Sequence, residues 1–281
     1  MNEDLPLLPE REFTVSCINL FRKSNLLFAL GTYRPSIKVF NLSLQAILLD
    51  RNISEYPINV ISLDNLNKYY MLTNTGLEIH GIHGKVKNIK LSFIPRGMIL
   101  FEKVTLIIGN KPIIKIIDKS NKLKDDLNIP IEPLYITSYN DVFGIANTDE
   151  VCLYKEYKLI HKCKVNELNS FTFDNQFIYI GNSFGLFYKI NLLTNESFDL
   201  YQHNESINHI IRNEDSFILS SNTNIIIIKN DTNKIIELGC KINSIEIDKS
   251  ILFVGCDDGK IRIYNVGETK DLPEWCINLI K

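Results

Sequence analysis

Tryptophan is nearly missing from this chain of 281 residues: Trp275 is the single one. No apolar run approaches the roughly 18 residues that a membrane-spanning helix needs. The densest, Ile225 to Ile228, is only strand-sized. Net charge is −2, so no bulk polycationic attraction to nucleic acid is expected. The start of the chain (Glu3, Asp4, Pro6, Pro9) is acidic and proline-punctuated, unlike the basic-then-apolar order of a secretory signal. The six cysteines (Cys17, Cys152, Cys163, Cys240, Cys256, Cys276) include no Cys-x-x-Cys pair. Most fall inside apolar strand patterns, where cysteine acts as a small hydrophobe. These absences set the expectation of an intracellular protein with no membrane partner. Asn-x-Ser/Thr triplets at Asn41, Asn52, Asn195, Asn204 and Asn230 then reflect an asparagine-rich composition, not glycan sites.

Amphipathic helix periodicity is also almost absent. The chain is a series of short strands rich in Ile, Leu, Val, Phe and Tyr, broken by Asn, Asp, Gly and Ser. One unit recurs: an apolar strand, a polar turn, a second apolar strand ending in a small or polar residue, a turn, and an alternating third strand. Phe177 to Gly181 leads through Gly185 to Leu186–Ile190, and Leu252 to Gly255 leads through Gly259 to Ile261–Tyr264. The second strands end near Gly31, Asn74, Gly109, Asn147, Gly181, Ser221 and Gly255, at spacings of 34 to 43 residues. That period is close to the roughly 40 residues of a propeller blade. A four-stranded unit with two apolar faces must stack on neighbours, and closing the stack leaves few exposed edges. The expected fold is all-β: a seven-bladed β-propeller over residues 12–281, with residues 1–11 as an N-terminal segment and candidate latch. The usual WD-repeat markers are missing, so this is a degenerate WD40-like propeller recognised by period. A pair of β-sandwiches is the rival architecture, but it does not call for seven similar units.

Motifs of chemistry are scarce. There is no Gly-x-Ser-x-Gly elbow and no Gly-x-x-x-x-Gly-Lys phosphate loop. His80 and His83 form a His-x-x-His pair, but no acid or cysteine falls nearby at ligand spacing, and the pair reads as a surface turn. Asp257-Asp258-Gly259 is a turn signal first. The reading is of a non-enzyme with no catalytic residues, no metal site, no cofactor and no small-molecule substrate. A propeller enzyme with a polar site in its channel is the less favoured alternative.

Two surface features stand out. Leu26 to Gly31 and Ser36 to Asn41 read as a hairpin with Gly31 and Pro35 shaping the link. Thr32, Tyr33 and Arg34 then occupy its exposed tip, either as contact residues or with Tyr33 simply covering the hairpin. Basic residues cluster at Lys85, Lys87 and Lys90, and again at Lys111, Lys115, Lys119, Lys122 and Lys124, the latter blunted by Asp125 and Asp126. RNA contact by Lys85, Lys87 and Lys90 is one reading, and a solvated strand face is the other.

The segment from Gly31 to Arg51, GTYRPSIKVFNLSLQAILLDR, resembles the first-blade signature of the nucleolar protein ten family, also called the essential nuclear protein two family. Leu272-Pro273-Glu274-Trp275-Cys276 is similar to the Pro-basic-Trp-Cys sequence after that family's last blade. The chain lacks the family's long charged C-terminal half, as a short form would. The resemblance implies a non-catalytic scaffold of the small-subunit processome, acting in ribosome biogenesis and small-subunit rRNA maturation in the nucleolus. Its partners would be other pre-ribosomal assembly proteins, with pre-rRNA as a further candidate. Tyr33 and Arg34 would serve contact, while Gly31, Pro35, Pro273 and Trp275 would be structural. A generic adaptor propeller outside ribosome assembly is the alternative. For closure of the propeller, Leu272 to Ile280 is expected as the outer edge or cap of the last unit, with Trp275 buried and Leu5 to Leu8 beside it as a partial latch.

Overall fold

A computed structural model describes residues 3–4, 15–32, 34–64, 68–81, 83–230 and 232–267. Among them are 28 strands and one short 3-10 turn, Arg22–Ser24. No helix among the described residues is long and apolar enough to cross a membrane. The strands form seven four-stranded antiparallel sheets, each from consecutive strands apart from the last. This is the seven-bladed β-propeller. Blades 1 to 7 cover residues 15–52, 57–90, 95–128, 135–164, 168–202, 209–237 and 242–265, and the last is completed by residues 3–4.

The second strands end at Gly31, Thr73, Gly109, Ala146, Asn182, Ser220 and Cys256, within a residue of the seven positions read from the sequence. Their burial explains the pattern. Successive side chains of a strand point to opposite faces. In Leu26–Gly31 of blade 1, Leu27 and Ala29 join a core with Ile251 and Phe253 of blade 7. Leu26, Phe28 and Leu30 join another with Val60, Tyr69 and Met71 of blade 2. With both faces covered, a continuous apolar run is required in place of an alternating one.

The described residues fall into two compact units. One lies within 1–91, 223–227 and 234–281, and the other within 92–222 and 228–233. Within the first, blades 7 and 1 are joined along their inner strands. Asn243 Nδ2 donates to Val15 O at 2.9 Å, Ile18 N donates to Ser244 Oγ at 3.2 Å, and Arg22 donates to Ile247 O. Gly255 leaves room for Val15, whose Cγ1 would stand 2.6 Å from an added Cβ. The outer strand of blade 7 is Glu3–Asp4, in register with Ile263 and Arg262. This corrects the expectation that Leu272 to Ile280 forms the outer edge, while its alternative role as a cap falls outside the described residues. Leu272 to Ile280, with Pro273 and Trp275, and Leu5 to Leu8 lie outside the described residues.

In the second unit, blades 3 and 4 share one core, built around Leu106, Ile108, Phe143 and Cys152. Blades 4 and 5 share another, built around Leu153, Phe171, Ile178 and Ile180. Two glycines at or beside the ends of second strands make room for a neighbour. An added Cβ would meet Phe93 Cδ2 at 2.1 Å at Gly109, and Ile207 Cγ2 at 2.4 Å at Gly181. They admit a neighbouring loop, whereas the left-handed turn angle falls later, at Gly185 with φ of 80°.

Candidate functional site

The inner strands of blades 4, 5 and 6 (Tyr135–Tyr139, Leu168–Phe173 and His209–Asn213) end side by side in tight turns. Between them is an open cleft of about 460 Å³ lined by Ser138, Tyr139, Thr172, Phe173, Ile210, Ile211, Arg212 and Glu214. All these residues belong to the second unit. Asn140 and Glu214 hold left-handed backbone angles in these turns, with φ of 53° and 50°. Such angles let a chain reverse within two residues.

Asp174 organises the lip of the cleft. Its Oδ1 accepts from the backbone N–H groups of Gln176 and Phe177 at 2.7 and 2.8 Å. Its Oδ2 accepts from Tyr179 Oη at 3.0 Å and from Arg212 Nη1 at 2.5 Å. The first pair closes the turn, as aspartate does in such positions. The second pair pins an arginine over an aromatic ring, the Arg212 guanidinium lying 5.7 Å from the Tyr179 centroid. Phe217 supports that ring at 4.6 Å. Burial, followed by the charge of Asp174, pushes the Tyr179 hydroxyl up to about 12, so it stays a neutral donor. Tyr139 stands edge-on to Phe173 at 6.3 Å and is 37% exposed. The cleft thus presents an accessible aromatic ring, apolar walls, one half-exposed guanidinium and the carboxylate of Glu214. Such a surface offers apolar burial and hydrogen bonding to a bound group.

The residues singled out from the sequence lie elsewhere. Gly31 is buried at a strand end, paired with Val15 and Ser36. Pro35 is half-buried, and its carbonyl accepts from Ile53 N at 2.8 Å. Arg34 is exposed in this turn, while Tyr33 lies outside the described residues. Lys85, Lys87 and Lys90 are exposed on the outer strand Gly84–Lys90 of blade 2, but Lys85 is bonded to Glu78 Oε1 at 2.6 Å. In the second basic cluster, Lys115 pairs with Asp126 at 2.6 Å.

His80 overturns a sequence reading. It does not sit in a surface turn: it is 3% exposed at the end of a buried strand, and its Nε2 lies 2.8 Å from Glu78 Oε2. Tyr69 stacks on its ring at 5.2 Å. Burial lowers the pKa of His80 against the upward pull of Glu78. His83 alone is exposed. The signal was legible: Glu78 and His80 are two apart, and alternate residues of a strand share a face.

No family model and no curated protein matches the chain. Solved structures do. BBS1N, solved in complex with ARL6DN, superposes with a TM-score of 0.79 at 10% identity, covering 97% of each chain. The Pan2 WD40 domain of Neurospora crassa gives 0.77 at 10% identity, over 96% of this chain and 94% of that one. The computationally designed Ika8 protein gives 0.68 at 11% identity, over 93% and 99%. At such identity the likeness is one of fold alone: a WD40-like β-propeller.

Proposed function

We propose that this chain is a non-catalytic docking scaffold. The cleft between blades 4, 5 and 6 carries this reading, because it offers the exposed ring of Tyr139 and the guanidinium of Arg212, the latter held in place by Asp174. We further propose that the scaffold acts in ribosome assembly, as a nucleolar component of the small-subunit processome with pre-ribosomal proteins as partners. The resemblance at Gly31 to Arg51 and at Leu272 to Cys276 supports this, and the exposed Arg34 is compatible with contact at that turn.

The test is purification of the tagged native chain, followed by identification of the co-purifying proteins and RNA. Small-subunit precursors are expected in the pull-down and nucleolar enrichment in imaging. Tyr33→Ala combined with Arg34→Ala is expected to reduce that recovery severalfold while changing stability by only about 0.5 kcal/mol. A purely cytosolic distribution with no precursor RNA would exclude the ribosomal role. The complex of BBS1N with ARL6DN favours a second reading, an adaptor propeller outside ribosome assembly. Recovery of one stoichiometric protein partner without RNA would select it.

A further inference from the structure

Cys240 and Cys256 are sixteen positions apart in sequence, on the link that leads into blade 7 and at the end of that blade's second strand, Ile251–Cys256. The fold brings them together. Their sulfur atoms and a carboxylate oxygen of Asp258 all lie within 4.8 Å of one another. Both thiols are free, Cys256 buried and Cys240 half-buried. Two reciprocal hydrogen bonds hold the backbones beside them. Lys241 N donates to Asp257 Oδ1, and Asp257 N donates to Lys241 O, each at 3.0 Å.

Three donors at such spacing invite a metal ion, but the third is already engaged. Both oxygens of Asp258 are gripped by Arg262, at 2.7 Å from Nη2 and 3.2 Å from Nη1. The backbone N–H of Lys260 adds a third bond to Oδ1 at 3.1 Å. A divalent ion would have to break this bidentate pair and settle beside the guanidinium. Two thiols remain, fewer than a zinc site needs. Burial raises the pKa of both thiols, and the Arg262 guanidinium opposes that rise at each.

We propose that Cys240 and Cys256 are a reversible disulfide pair, oxidised by low-molecular-weight disulfides of the glutathione class. The more accessible Cys240, as its thiolate, attacks one sulfur of the oxidant. The oxidant's S–S bond breaks, and one thiolate leaves and takes up the proton that Cys240 gave to solvent. Cys256 loses its proton and attacks the Cys240 sulfur of the mixed disulfide, expelling the second small thiol. The two cysteine thiols are oxidised to one disulfide, and one oxidant disulfide is reduced to two thiols. The bond ties the link into blade 7 to the turn after its second strand. That turn leads to Arg262, whose backbone is in register with Asp4 of the N-terminal strand.

The test exposes the folded full-length chain to oxidised glutathione, then quenches and denatures it, counts thiols and maps bonds by mass spectrometry. The expected result is loss of two of the six thiols, a Cys240–Cys256 peptide cross-link, and full recovery with reductant. Cys240→Ser and Cys256→Ser should each abolish the cross-link. Should either variant fold poorly, the wild-type map alone decides. Six intact thiols, a stable glutathione adduct on Cys240 beside a free Cys256, or a bond from either residue to another cysteine would each overturn the proposal. So would stoichiometric zinc binding that protects both thiols.

Discussion

In blade 2, Glu78 is 2% exposed, with Lys85 on one oxygen and His80 on the other. In blade 5, Asp174 holds Arg212 and Tyr179 at the lip of an open cleft. The residue types are nearly the same: an acid, a base and an aromatic ring. Their positions on the sheet are not. Glu78 lies within a strand whose two faces are both covered, so its partners must be brought into the blade. Asp174 lies in a turn, where the same bonding leaves the base accessible. Burial turns one cluster into a structural fastening, and exposure leaves the other available to a partner.

The comparison breaks first at Glu78. Glu78→Ala removes the acid that satisfies His80 Nε2 and Lys85, beside the stacked rings of His80 and Tyr69. The expected loss is roughly 3 kcal/mol, at the lower end for a broken buried pair because Lys85 is 40% exposed and can reach water. Denaturant unfolding measures it, and a loss below about 1 kcal/mol would put Glu78 in the same class as a surface acid. Partner binding at the cleft should be untouched by this change once the variant is folded.

A third acid sharpens the contrast through pH. Burial pushes the Glu246 carboxyl, on the inner strand of blade 7, up to about 7 from an ordinary 4.5, against the opposing pull of Arg22. The folded chain therefore binds this proton more tightly than the unfolded chain. The stabilisation is complete below pH 4.5, declines as pH rises to about 7, and is absent above it. Its full swing is up to roughly 3 kcal/mol. Glu246→Gln should flatten that limb of the stability–pH curve and raise stability at pH 8. His80 acts in the opposite sense. Burial holds its pKa below the ordinary 6.5, so its contribution is present above 6.5 and is lost as pH falls. A stability–pH curve that Glu246→Gln leaves unchanged would show the carboxyl to be well solvated.

The smallest stability effect belongs to the cleft. Arg212→Ala breaks the pair with Asp174 and uncovers Tyr179, at an expected cost of about 1 kcal/mol, since the arginine side chain is 35% exposed. If the cleft docks a partner, the same change should weaken that binding at least about tenfold, which corresponds to roughly 1.4 kcal/mol. Calorimetry or co-precipitation with the purified partner reads the difference. Equal losses in folding and binding would erase the distinction between the two clusters.

The sequence by itself determined the number of blades and the place of each second strand, because a strand covered on both faces must be apolar throughout. Leu26 to Gly31 and Ile251 to Cys256 announce themselves in this way, and the polar turns between strands set the period. Tertiary structure decided what no local pattern carries. Glu3–Asp4 is too short to read as a strand, and only its register with Ile263 and Arg262 makes it one. Gly109 and Gly181 mark strand ends in the sequence, but only the fold shows the approach of Phe93 and Ile207 that requires them to be glycine. The cleft gathers residues from three blades, 138–139, 172–173 and 210–214, whose meeting depends on long-range stacking of sheets. Cys240 and Cys256 likewise look isolated along the chain and meet only when blade 7 folds. Burial periodicity is local and therefore written in the chain. Convergence of distant side chains is a property of packing and appears only once the blades have formed.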